Sequence, residues 1–223
     1  MKLTLLCNAG LAIETEDAML LVDLPNTPLE PFYTLPEEIW QQILNRQPPY
    51  DKVCGFWFTH LHPDHWNREK VEEYCRRWPE IPCYMPQERI IKGKVSIGPF
   101  AIRFQRMDHA PIANAPPHVV TMITTGEGSV YLPADAVLDA EQHSCFLGGI
   151  QCDAAVWNAM FLSQPETREL MHNAAKRSFV YHMPAQKPDS MGLWRKLEKN
   201  LQRHGSELVG VVIWDMYPSS VII

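Results

Sequence analysis

Apolar positions along the chain come in short runs, broken by glycine, proline and acidic residues. Residues 2–6, 11–15 and 18–22 are three such runs, interrupted at Gly10 and at Glu16-Asp17, and they predict an antiparallel meander. Pro25, Pro28 and Pro31 mark a surface loop. Thr34-Leu35-Pro36-Glu37 then offers a capping hydroxyl, a first-turn proline and a glutamate three positions on. That pattern predicts a helix over 35–46, ended by Pro48-Pro49. Residues 53–58 form a continuous apolar run, short enough to be a buried strand. A histidine-rich loop at 59–66 follows, then a helix over 68–78 closed by Pro79. Beyond 82–85, residues 94–97 and 100–105 read as strands separated by Gly98-Pro99, and 108–117 as a loop. Residues 119–124 and 129–132 form a hairpin across Thr125-Gly126-Glu127-Gly128, and a loop carries Ala134-Asp135-Ala136.

The rhythm then changes. A strand over 153–157, a helix over 165–176, a strand over 178–181, a helix over 190–203 and a strand over 207–214 alternate to the end. A strand-rich first half followed by alternating helix and strand predicts two sheets covered by helices, an α/β layered sandwich in one domain spanning 1–223. Composition narrows this further. The 223 residues are 46% apolar and 21% charged, which excludes disorder as the main state. A net charge of −6 argues against a broad nucleic-acid binder. No apolar run is long enough to span a bilayer, and the stretch before Cys7 is too short for a signal peptide. Six scattered cysteines without a C-x-x-C point to reduced thiols and a cytoplasmic protein.

The chemistry concentrates in Thr59-His60-Leu61-His62-Pro63-Asp64-His65-Trp66. With nine histidines in the whole chain, three within six residues are improbable by chance. Burying such groups without a ligand is unfavourable. A tight loop between a strand and a helix can aim His60 and His62 at one ion, and Asp64 and His65 at a second. Imidazole nitrogen with carboxylate oxygen suits zinc first, with manganese or iron next.

The pattern H-x-H-x-D-H after a buried strand resembles the signature of the metallo-β-lactamase superfamily. The resemblance implies a four-layer αββα sandwich with a two-metal site at one edge. It also implies a third histidine for the first metal, a bridging aspartate, and a last histidine for the second. Asp135, in Val130-Tyr131-Leu132-Pro133-Ala134-Asp135, matches the bridging position, with alanine where the family carries glycine. His109 and His118 compete for the third histidine, and His109, after strand 100–105 and before the hairpin, fits better. His182, at the end of an apolar strand, matches the last histidine better than His143, His172 or His204, of which His143 could approach substrate. Asp23 matches an aspartate that supports the metal loop from behind. Asn8-Ala9-Gly10 stands where related hydrolases often have Gly-His. The compact length is most similar to the subgroup containing ascorbate-phosphate lactonase.

By that resemblance the protein is a hydrolase holding two divalent cations. A metal-bridging hydroxide, with Asp64 and Asp135 at the reacting centre, would attack an ester, lactone, thioester or phosphoester of a small molecule. The other members of the superfamily supply the alternatives. A di-iron oxidoreductase usually has a carboxylate where this chain has His62, and an RNA-processing nuclease would call for a basic insertion. A non-catalytic metal-binding protein would need only the ligand set. Trp40, Trp66, Trp157 and Trp194 are candidate cleft walls, and Arg68 a candidate anion holder.

Overall fold

The computed structural model describes residues 1–87, 91–110, 115–186 and 189–223. Strands β1 (Lys2–Leu5), β2 (Leu11–Glu14), β3 (Met19–Val22), β4 (Val53–Trp57) and β5 (Cys83–Tyr84) lie in the first half of the chain. They are followed by β6 (Lys92–Ile97), β7 (Phe100–Arg106), β8 (Val119–Thr125) and β9 (Gly128–Ala134). β10 (Cys152–Asn158), β11 (Ala175–Tyr181), β12 (Val211–Ile213) and β13 (Ser219–Ile222) complete the set. The helices are α1 (Glu37–Leu44), α2 (Arg68–Arg77), α3 (Ala140–Leu147), α4 (Pro165–Ala174) and α5 (Leu193–His204).

Two sheets result, in the orders β13-β1-β2-β3-β4-β5 and β12-β11-β10-β9-β8-β7-β6. Each changes character partway across. In the first, β13 to β3 pair antiparallel, and β3, β4 and β5 pair parallel. In the second, β6 to β9 pair antiparallel, and β9 to β12 pair parallel.

The central strands are apolar on both faces, which is why they read as continuous runs. In β3, Leu20 and Val22 enter the core between the sheets, while Met19 and Leu21 pack outward with Trp40 and Ile43 of α1 and Val71 and Tyr74 of α2. In β10, Ala154 and Val156 face inward, while Ala155 and Trp157 face a third cluster holding Phe146, Leu170, Met171 and Leu197 from α3, α4 and α5. Helices thus cover both outer faces, and the layers are αββα.

Several boundaries differ from the sequence reading. Thr34 does not cap α1: the cap position is Pro36, without a side-chain bond, because the Leu35 amide is taken by Asn26 Oδ1 at 2.9 Å. The helix expected over 165–176 stops at Ala174, since Ala175 already pairs with Cys152 of β10. The strand expected over 207–214 shrinks to Val211–Ile213, after a 3-10 turn at Gly205–Glu207. α3 and β13 were not foreseen. Of the loop expected over 108–117, residues 111–114 lie outside the described residues. All six cysteines are free. Among the described residues, no helix is long and apolar enough to cross a membrane.

Candidate metal centre

Most candidate ligands follow the ends of parallel-paired strands, at or near the points where each sheet switches from antiparallel to parallel pairing. Side chains from different strand ends converge at such a place without distorting the sheets. Asp23 follows β3, His60 to His65 follow β4, Asp135 follows β9 and His182 follows β11. His109 arrives after β7, held beside Asp135 by a short antiparallel bridge. The Ala110 amide donates to the Asp135 carbonyl at 2.7 Å, and the Val137 amide to the Asp108 carbonyl at 2.8 Å.

Local chemistry shapes each piece. Pro63 and Asp64 occupy a turn in which the His65 amide donates to the His62 carbonyl at 2.9 Å, reversing the chain within the motif. Asp23 accepts from the Thr59 amide at 2.7 Å, from Thr59 Oγ1 at 2.6 Å and from His65 Nδ1 at 3.1 Å. With its hydroxyl proton spent on Asp23, Thr59 Oγ1 accepts from His60 Nδ1 at 3.1 Å. His109 Nδ1 donates to the Ala110 carbonyl at 2.8 Å. Each of these bonds places the ring proton on Nδ1 and leaves the Nε2 lone pair facing the centre.

The donor atoms form two groups, His60 with His62 and His109, and Asp64 with His65, Asp135 and His182. Within each group they lie within 4.8 Å of one another. Asp135 Oδ2 stands between the groups, 3.3 Å from His65 Nε2, 3.5 Å from His182 Nε2, 3.6 Å from His109 Nε2 and 3.7 Å from His60 Nε2. His60 Nε2 and His109 Nε2 are buried without a hydrogen-bond partner. An orphaned lone pair in each of two converging imidazoles fits a cation and little else.

Carboxylates and rings titrate together: burial pushes His65, His182 and His109 down, but Asp135 outweighs it and draws all three above the ordinary imidazole value. Burial pushes the Asp135 carboxyl upward, but the His182, His65 and His109 rings outweigh it and hold the group well below the usual carboxylate range. Asp64 is likewise brought to about 2, against its burial, by His182 and His65. Burial keeps His60 well below the ordinary imidazole value, and so able to give a lone pair.

His118 takes a different part. Its Nε2 accepts from the Asp135 backbone amide at 3.2 Å, so it holds the Asp135 turn, while His109 joins His60 and His62. His143 does not approach the centre: it is buried between the Tyr131 hydroxyl, at 2.5 Å, and the Val137 carbonyl, at 2.9 Å. His172 bonds the Glu207 carbonyl, and His204 the Glu207 carboxylate at 3.0 Å. Arg68 lies over the Trp66 ring, 5.5 Å from its centroid.

Two residues of the centre were not read as such from the sequence. Asn158, at the end of β10, donates to Asp135 Oδ1 at 2.7 Å while its own oxygen accepts from the Met160 amide at 3.0 Å. Asn8 Nδ2 lies 3.2 Å from both Asp64 Oδ2 and His182 Nε2. The signal for Asn158 was present, a polar residue ending an apolar strand. A cavity of about 490 Å³ opens over the centre, lined by His62, Asp64, His109, Asp135, His182 and Asn158 together with apolar side chains. None of the four tryptophans lines it. Trp40 and Trp157 are buried in the layers behind.

No protein-family model matches the sequence, and no curated protein is significantly similar to it. Solved structures do match. An isothiocyanate hydrolase from Delia radicum gut bacteria superposes with a TM-score of 0.69 at 15% identity, over 100% of this chain and 99% of that one. Tm1679, a metal-dependent hydrolase of the β-lactamase superfamily, gives 0.57 at 11% identity, covering 100% and 99%. CmlA, a diiron β-hydroxylase from Streptomyces venezuelae, gives 0.61 at 12% identity, with 100% of this chain on 54% of that one. With its layer order and its strand-end histidine and aspartate centre, the chain has the metallo-β-lactamase fold.

Proposed function

We propose that the protein is a metal-dependent hydrolase of small molecules, with His60, His62 and His109 holding one divalent cation and Asp64, His65 and His182 a second. Asp135 is shared between them. The observation that carries this reading is the position of Asp135 Oδ2, within 3.7 Å of four imidazole nitrogens that belong to both groups. The nitrogen and oxygen donor set favours zinc, then manganese or iron.

Two such cations, when bound, acidify a coordinated water toward neutrality and stabilise the oxyanion that develops on an ester, lactone, thioester or phosphoester. The chain's own residues do the rest. Asp23 and Thr59 fix the tautomers of His65 and His60. Asn158 orients the Asp135 carboxylate, and His118 its backbone. Asp64, lining the cavity and 3.0 Å from His182 Nε2, stays ionised and offers an anionic oxygen donor beside the reacting atoms. The isothiocyanate hydrolase of the same fold supports a small electrophile as substrate.

The test is metal content measured alongside a panel of lactones, thioesters, carboxylic esters and phosphodiesters. About two equivalents of divalent metal per chain and metal-dependent turnover are expected. His60→Ala and Asp135→Ala should each lose turnover by at least about a thousandfold with circular dichroism unchanged. Full activity in either variant overturns the assignment. Iron together with oxidation of a substrate by dioxygen would instead place the chain with the oxidative members of the fold.

A further inference from the structure

The cavity over the centre has a lining of two unlike kinds. Its polar lining consists of five of the seven candidate ligands and Asn158. Its remaining wall is apolar: Leu29, Phe32, Pro63, Met160, Met191 and Leu193, with Ala110 beside them. Among the described residues, no lysine, arginine, serine or threonine lines it. A phosphate, sugar or nucleotide moiety remote from the reacting atoms would leave its polar groups unpaired against that wall.

The wall also continues into solvent. Leu29 is 41% exposed and Met191 48% exposed, from opposite ends of the chain, and both border the same opening. Large apolar side chains gathered at a cavity mouth mark a binding surface more than scattered exposure does. Phe32 anchors the inner end, edge-on to His182 with ring centroids 5.1 Å apart. The pair of methionines gives the wall a shape that adapts to its ligand.

We propose that the substrate is a small electrophile carrying an apolar tail, an alkyl or aryl group of roughly four to eight carbons, seated on the wall formed by Leu29, Phe32, Met160, Met191 and Leu193. This rests on the hydrolase reading for the reacting end and on the cavity lining for the tail. The electrophilic carbon faces Asp64 and Asp135. The tail runs along Phe32 toward Leu29 and Met191. Among the described residues, the same surface offers no partner to a phosphate or sugar group remote from the reacting atoms.

The experiment uses 4-nitrophenyl acetate, butyrate and hexanoate with the metal-loaded protein. Each methylene buried on the wall should raise kcat/KM about fourfold. Leu29→Lys combined with Met191→Lys, both at exposed positions and checked for an unchanged melting temperature, should flatten the series. A turnover-free arm measures binding of ethylurea, butylurea and hexylurea to the protein as purified, by saturation-transfer NMR. Affinity should climb with chain length and lose that dependence in the double variant. Ester turnover with no chain-length dependence overturns the tail assignment and leaves the hydrolase reading intact. Absent turnover with urea affinity still climbing does the reverse: the hydrolase reading falls and the apolar specificity stands. A flat response in both arms overturns the tail assignment outright.

Discussion

Ala134 holds φ at 49°, Asp23 at 52° and His182 at 61°, all in the left-handed region that side chains with a Cβ resist. They are three of the four non-glycine residues with positive φ among the described residues, the fourth being Arg46 after α1, and each of the three lies at the centre or immediately beside it. Backbone strain gathered at one place is a mark of a site whose surroundings over-determine it. At Ala134 the strain turns the chain from β9 so that the Asp135 amide reaches His118 and its carboxylate reaches the rings. Ala134→Gly should therefore leave activity unchanged. It should leave stability unchanged or raise it by up to about 1 kcal/mol, because relief of the left-handed penalty offsets the added chain entropy. Chemical denaturation checks this, and a loss above about 1 kcal/mol would show the strain to be absent. Asp23→Asn keeps a residue at ease with positive φ but removes the charged acceptor behind Thr59 and His65. Metal affinity should fall roughly 10- to 100-fold, read by competition with a chromophoric chelator. The histidine string was legible because its members are neighbours in the chain. Asn8 was not, because an asparagine reveals a partner only when the fold brings distant strand ends together, and Asn158 offered only its place at the end of an apolar run. His143 was misread for the same reason, since nothing local discloses that Tyr131 encloses it.

At the scale of elements, the continuous apolar runs of β3, β4, β10 and β11 declared themselves because both of their faces are covered. α3 did not, since only His143, Phe146 and Leu147 of its eight residues are buried and no apolar stripe marks it. Its real signals are at the ends, Asp139 accepting from the Gln142 amide and Gly148 at φ 63°. β13 alternates half-buried and exposed positions, and is a strand because β1 offers it a free edge. The β1–β2 pair carries a titratable tie. Glu14 on β2 meets Lys52 at 2.6 Å and Lys2 at 3.2 Å, and although burial pushes its carboxyl up, the two ammonium groups bring it below the ordinary value of 4.5. A lowered carboxylate contributes stability above its unfolded value and loses it as pH falls through its folded one. Glu14→Gln should thus cost about 1 kcal/mol at pH 7. The difference from wild type should shrink as the pH falls below 4.5 in urea titrations run across pH. A pH-independent difference would show that the amide disturbs packing instead.

For the whole molecule, the centre is also a clasp between the sheets. β3 and β4 of one sheet and β7, β9, β10 and β11 of the other send residues into it. The side chains that meet there include Asp23, Asp64 and Asp135, which are 1%, 7% and 6% exposed. Buried carboxylates and lone pairs so close together favour the folded state far more when cations satisfy them, and the unfolded chain presents no such arrangement. Metal binding must then appear as folding stability. At a free concentration a hundred times the dissociation constant, linkage supplies about 2.7 kcal/mol, which for a chain of this size raises the melting temperature by about 5–10 °C. Calorimetry of the zinc-loaded protein before and after EDTA should show that drop, reversed by added zinc. Asp135→Asn keeps the side chain's volume and its place beside Asn158 but gives up the oxygen both groups share, so its melting temperature should barely respond to either treatment. If wild type and variant respond alike, the cations are bound elsewhere, and the convergence of strand ends is a packing arrangement without a ligand. A response confined to wild type ties the sheets' junction to the metal, because Asp135 immediately follows the strand where antiparallel pairing gives way to parallel.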